Sequence, residues 1–167
     1  MATKEHIERE IKKLCVDTMW NHKIHEKDSD RQKCFANIIY TVSVLLLALT
    51  ASSIISVVFT NVIALKIISA IIACITFFVN IIALSVDCKS LSKAHKKCAL
   101  GFLDLRNEIY KLLSNMKINK YTNDNEIICQ RDLLYETYSM LCKQAPSTSS
   151  IAMKRARISW YNACVEK

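Results

Sequence analysis

Glycine and proline are nearly missing from this chain. Its 167 residues hold one of each, Gly101 and Pro146. A β-sandwich, a barrel or a doubly wound α/β fold uses several of both in its turns, so the shortage excludes those folds. It also excludes phosphate-binding loops built on repeated glycines. Aromatic residues are scarce at 8%, although hydrophobic residues reach 51%. What remains is an all-α chain.

Charge is missing from the middle. From Cys34 to Val86 the only charged residue is Lys66. The flanks are the opposite: residues 1–33 carry 8 basic and 7 acidic side chains, and residues 87–167 carry 14 and 8. Such an apolar stretch between such polar segments marks a membrane protein. A helix crosses the ~30 Å hydrocarbon core with roughly 20 residues, so one span would leave about half of this stretch in water. Two spans and a tight turn use it almost completely. The sequence predicts spans at about 37–59 and 65–86, with Thr60 and Asn61 supplying the turn and an N-cap. The apolar segment begins too late and runs too long for a cleaved signal peptide. The resulting division is an N-terminal cytoplasmic amphipathic helix (1–33), a two-transmembrane helical hairpin (34–86) and a C-terminal cytoplasmic helical region (87–167).

Basic flanks set the orientation. Lys23, Lys27, Arg31 and Lys33 precede the first span; Lys89, Lys93, Lys96 and Lys97 follow the second. The positive-inside rule then puts both termini in the cytoplasm. Eight cysteines without a CxxC pair fit that reducing side as small buried fillers. The second lysine cluster reads as a contact to anionic lipid headgroups.

Outside the membrane the pattern is helical throughout. Residues 3–27 place Ile7, Ile11, Leu14 and Thr18 on one stripe. Asp28-Ser29-Asp30 reads as an interruption, with Ser29 and Gln32 forming a capping box for the helix that enters the membrane. After the second span no breaker occurs before Gly101, so one helix is expected to continue to about Lys117. Along it Leu91, His95, Cys98, Phe102, Leu105, Ile109, Leu112 and Met116 alternate spacings of four and three. That is a seam for packing on another helix, in the same chain or a neighbour. Residues 119–122 form a turn, and Asn123 with Glu126 caps a helix over about 124–144, with Ile127, Leu134, Tyr138 and Leu141 inward. Pro146 ends it. Thr148 or Ser149 starts a last helix carrying Ala152, Ala156 and Trp160.

Little of this resembles catalytic chemistry. His22 and His25 share a helical face with His6 and Cys15 upstream, but no spacing gives a set of four metal ligands, and no catalytic constellation stands out. No enzyme, cofactor or metal is therefore expected. The spans say more. Ala48, Ser52, Ser56 and Thr60 lie four apart on the first; Ser69, Ala73, Thr76 and Asn80 mark one face of the second. Small and hydroxylated residues let helices approach and bond, so these faces either pack the hairpin or line a watery path in an assembly. The basic residues Lys154, Arg155 and Arg157 beside Trp160 read by default as a solvated face, the alternative being a site for an acidic partner or a phosphate-bearing ligand. Nothing provides a stacking platform or groove-reading element for nucleic acid.

The order of elements, with Trp20, His22 and Arg31 before the first span, Leu105-Arg106-Asn107-Glu108-Ile109-Tyr110 on the long helix, Arg131-Asp132-Leu133, and Ala145-Pro146-Ser147-Thr148-Ser149, resembles the SLATT family. These are two-transmembrane effector domains associated with bacterial nucleotide-synthesising and nucleotide-sensing proteins. The resemblance covers nearly the whole chain and includes no catalytic motif. It implies a bacterial inner-membrane effector of antiphage defence, acting as a homo-oligomer that opens a pore or disrupts the bilayer and so arrests the infected cell. It also implies a trigger, from a separate sensor or nucleotide-synthesising protein or from a nucleotide ligand. A hairpin of two helices cannot enclose a channel, so a pore needs several copies. The alternative reading is a membrane-anchored interaction module that recruits a cytosolic sensor or enzyme without a pore.

Overall fold

The computed structural model describes residues 2–59, 62–85, 87–118 and 124–165. Every element among them is an α-helix: α1 (Ala2–Phe59), α2 (Ile63–Ser85), α3 (Cys88–Lys117), α4 (Asp124–Gln144) and α5 (Ser150–Val165). The expected turns at Thr60-Asn61 and 119–122, and the Asn123 cap, lie outside the described residues.

Two helix boundaries differ from the sequence expectation. Asp28-Ser29-Asp30 does not interrupt anything, because α1 is one helix of 58 residues. Its inward positions explain why: Ile11, Thr18, His25 and Gln32 are buried, and Ile39, Leu46 and Ser53 are half-buried. These positions are seven apart, so the stripe keeps its phase through the supposed break. The signal was hidden because His25, Asp28 and Gln32 are polar. The second difference lies after the second span, where the helix does not run through. α2 ends at Ser85 and α3 begins at Cys88. Asp87 caps the new helix, its Oδ1 accepting the Ser90 amide at 2.9 Å. Gly101, in contrast, breaks nothing and lies inside α3.

The chain divides into two compact units, residues 1–31 with 91–167 and residues 32–90. The first, hereafter the bundle, packs the N-terminal part of α1 against α3, α4 and α5. One core joins Ile7, Ile11, Leu14 and Cys15 of α1 to Leu105, Ile109, Leu112 and Met116 of α3 and Ile127 of α4. Leu134, Tyr138 and Leu141 of α4 pack on its edge. Each large aliphatic side chain buried here is worth about 1.5–3 kcal/mol against exposure. The long helix therefore pairs within its own chain. A smaller cluster holds α5 by Ile24, Ala152 and Ala156, with Trp20 beside them, and Trp20 meets Trp160 edge-on at 6.3 Å.

The second unit is the hairpin. Both of its helices contain stretches long and apolar enough to cross a membrane. Ile38, Leu45, Ile55, Ile71, Phe77 and Leu84 all stand exposed, as side chains facing lipid or another protein do.

Candidate functional site

In the hairpin, the small and polar residues separate into two groups. Ser43 is buried and Thr50 and Ser53 are half-buried, and these face α2. Opposite them Thr76 is buried and Ser69 and Asn80 are half-buried. Thr50 and Thr76 join their hydroxyls at 2.9 Å, and Ser69 Oγ approaches the Ser53 carbonyl at 3.5 Å. Asn80 Nδ2 donates to the Thr76 carbonyl at 2.8 Å. Ala48, Ser52, Ser56 and Ala73 are exposed instead. Ser52 and Ser56 bond the Ala48 and Ser52 carbonyls of their own helix at 2.9 and 3.0 Å. The face drawn from four-residue spacing on the first span is thus turned away from the second span. The face that meets it, Ser43, Thr50 and Ser53, alternates spacings of seven and three, and sequence reasoning missed it. Thr60 lies outside the described residues. Near one end of the hairpin a cavity of about 450 Å³ is lined by Tyr40, Ser43, Asn80, Asp87 and Lys89 among others. Ser43 Oγ is buried with no hydrogen-bond partner among the described residues.

The bundle contains the second concentration of polar side chains. Asp28 is fully buried. One carboxylate oxygen accepts the Ser149 amide at 2.8 Å; the other accepts Ser149 Oγ at 2.8 Å and Arg31 Nε at 3.0 Å. Ser149 Oγ in turn takes the Ala152 amide at 3.1 Å. Asp28 therefore acts through Ser149 as the anionic cap of α5, where the helix dipole favours negative charge. Next to it, Ser29 and Ser92 each donate to the other's carbonyl, at 3.0 and 2.9 Å, which draws α1 and α3 together. Deeper still, His25 Nδ1 and His95 Nδ1 are 3.0 Å apart, so one ring donates and the other accepts. Phe102 stacks on His25 at 5.7 Å. His22 turns elsewhere and, facing a carbonyl, donates from Nδ1 to Ala99 at 2.8 Å.

Burial dominates the electrostatics here. Desolvation lowers the pKa of His25 to about 4, helped by His95 and opposed by Asp28. His95 is lowered too, first by burial and then by Arg31, against the pull of Asp28. Burial also pushes the Cys98 thiol up to about 11 and the Tyr138 phenol up to about 12. At neutral pH the cluster is an uncharged imidazole pair beside a satisfied carboxylate. Its donors and acceptors are engaged with one another, an arrangement that holds α3 and α5 on α1. Among the described residues no three His, Cys, Asp or Glu side chains come together as a metal site.

Of the expected seam on α3, Phe102, Leu105, Ile109, Leu112, Met116 and His95 are buried, and Cys98 is half-buried. Leu91 is 37% exposed; Cys88, Ser92 and Ala99 occupy the buried positions instead. Small side chains there permit the close Ser29–Ser92 contact. Lys89, Lys93, Lys96 and Lys97 are all exposed, and Lys89 lies over the Tyr40 ring, 5.5 Å from its centroid. Lys154, Arg155 and Arg157 are exposed on α5.

No curated protein and no solved structure matches this chain. Its two apolar helices and buried interhelical seam nevertheless agree with a family model built on a two-transmembrane domain. The chain matches the SMODS and SLOG-associating 2TM effector domain family 4 over residues 7–163, nearly its whole length, and it is a membrane protein belonging to that family.

Proposed function

We propose that this protein is an oligomeric, non-catalytic effector of antiphage defence in the bacterial inner membrane, with both termini in the cytoplasm. Several hairpins assemble around an axis and permeabilise the bilayer once a separate sensor, or a nucleotide second messenger, signals infection. The bundle is the element that such a signal repacks, because two packings of one set of helices make a two-state switch. Family membership supports the effector role. One observation carries the step to a pore: Ser52 and Ser56 stand exposed on the first span, away from the seam with the second. Hydroxyls in that position suit a helix–helix contact or a water-lined wall better than lipid.

The test is dye and ion leakage from liposomes carrying the full chain, with and without candidate cyclic oligonucleotides. Replacing Ser52→Leu together with Ser56→Leu is expected to reduce leakage at least about tenfold, the effect of some 1.4 kcal/mol, while membrane insertion is unchanged. Asn80→Leu, in the seam, is expected to alter leakage as well. Parental leakage from both variants would exclude a polar path along these faces. Full activity after replacing both spans with an unrelated hairpin would favour a membrane anchor.

A further inference from the structure

Between α3 and α4 of the bundle lies an open groove of about 770 Å³. Leu105, Leu134 and Leu141 give it an apolar floor, and Asp104, Glu108 and Glu126 line it against a single lysine, Lys111. Lys111 is bonded to Glu108 at 2.6 Å, which leaves the groove acidic on balance. Leu133 at its border is 62% exposed. Gly101 lines one end, and a Cβ there would come within 2.8 Å of Leu141 Cδ2, so the missing side chain lets α4 approach. From Gly101 to Asn115 the α3 wall runs about 21 Å, at 1.5 Å per residue.

α5 has the complementary shape and charge. Its buried face carries Ala152 and Ala156, with Trp160 against Trp20. At 100° per residue the opposite face carries Ile151, Lys154, Arg155 and Ile158. Ile151 is 50% and Ile158 62% exposed, although both are apolar. No acidic residue occurs from Ser150 to Tyr161, and the helix of 16 residues is about 24 Å long. Its own bundle already fixes it on α1 through the Asp28–Ser149 cap, so that face is presented outward.

We propose that the outward face of α5 docks into the α3/α4 groove of a second copy of this chain. The two isoleucines meet the leucine floor, and Lys154 and Arg155 meet the Asp104, Glu108 and Glu126 carboxylates. This is an amphipathic helix in an apolar groove, with charge setting its register. The contact joins different surfaces of the two copies, so it repeats head to tail and closes into a ring when the rotation allows. It supplies the assembly step of the proposed pore and rests on that reading only for its purpose.

The experiment measures the mass of the detergent-solubilised full chain over a concentration series, with helicity followed by circular dichroism. Asp104→Lys with Glu126→Lys, and separately Lys154→Glu with Arg155→Glu, are each expected to weaken self-association at least about tenfold, since each sets like charges against each other. Combining all four changes, or mixing the two double variants, is expected to restore it, because reversed groove then meets reversed helix. Parental assembly by both double variants, or weakening without restoration in a chain of parental helicity, overturns the proposal; the latter result would assign the groove to another partner. Leakage from liposomes carrying the same variants, with the candidate cyclic oligonucleotides added, keeps the two readings apart. Restored assembly with no leakage under any of these triggers sinks the pore alone, and leakage indifferent to the reversals sinks the docking contact alone.

Discussion

In the bundle, Asp28, Ser29 and His25 find their partners 121, 63 and 70 residues away in the chain. In the hairpin, Ser52, Ser56, Asn80 and Ser85 each bond the carbonyl four residues back in their own helix. A long-range bond between buried groups specifies one packing, because a wrong one leaves a desolvated donor or charge. A bond to the helix's own carbonyl specifies no neighbour, since it engages the donor whichever surface the helix meets. The two regions therefore differ in how firmly their arrangement is determined. The bundle has a core and a buried polar cluster that fix three helices on α1. The hairpin has a narrow seam with few crossing bonds and a wide apolar surface. The proposed switch needs this division: a bundle whose packing holds the resting state until a signal repacks it, and spans that can then change neighbours.

Removing Asp28 is the sharpest way to break that contrast. Asp28→Ala leaves Arg31, which is 20% exposed, without its carboxylate partner and leaves the Ser149 amide and hydroxyl at the start of α5 without their acceptor. Breaking a buried pair from one side costs about 3–5 kcal/mol, so urea unfolding of the full chain in detergent should shift by that amount. Trp20 and Trp160, in contact across α1 and α5, report the release by fluorescence. A loss under about 1 kcal/mol would mean that the carboxylate is solvated and specifies nothing.

Acid should act on the same region. His25 is held neutral, with a pKa near 4 against 6.5 in the unfolded chain, so between those values the unfolded state binds the extra proton. Stability is then complete above about pH 6.5 and is lost as pH falls toward 4. Two protons on the pair would also set two N–H groups against each other across 3.0 Å. Burial opposes charge on both rings, with His95 adding to it at His25 and Arg31 at His95, and this outweighs the pull of Asp28, so the outcome is a net loss. Amide exchange along α1 and α3 around His25 and His95 should quicken over that range, and the hairpin should not follow. His25→Phe, which cannot protonate, should flatten the profile.

These residues also show how far the sequence could be read. The all-α class, the two spans and the apolar seam on α3 follow from composition and spacing, because hydrophobic burial is periodic and each element shows its own period. Asp28 was misread as a helix breaker because a polar triplet before an apolar run has the local signature of a cap. Only a distant residue, Ser149, gives that carboxylate its role, and no local rule sees 121 residues ahead. The four-residue spacing of Ala48, Ser52 and Ser56 left hairpin packing and a watery wall both open for a related reason. A helix presents several faces with small residues, and which one meets α2 is set by the partner's Thr76 and Ser69. The break before α3 was legible in principle, since Asp87 has the character of an N-cap, but the lack of glycine and proline there concealed it.

The smallest effect is expected at the hairpin seam. Thr50 and Thr76 share one bond across the helices, yet each hydroxyl also lies 2.8 Å from a carbonyl of its own helix, Leu46 and Ile72 respectively. Each has a single proton, so only one of them donates across at any moment. In Thr76→Val the Thr50 hydroxyl simply keeps its own carbonyl, and nothing is stranded. Interhelical bonds in membranes average about 0.6 kcal/mol and reach at most about 1.7; the variant should fall in that range, with little change in assembly. A double-mutant cycle with Thr50→Val measures the crossing term directly. A coupling as large as the loss at Asp28 would show that the hairpin, too, is fixed by specific polar contacts, and would move the search for the mobile element into the bundle alone.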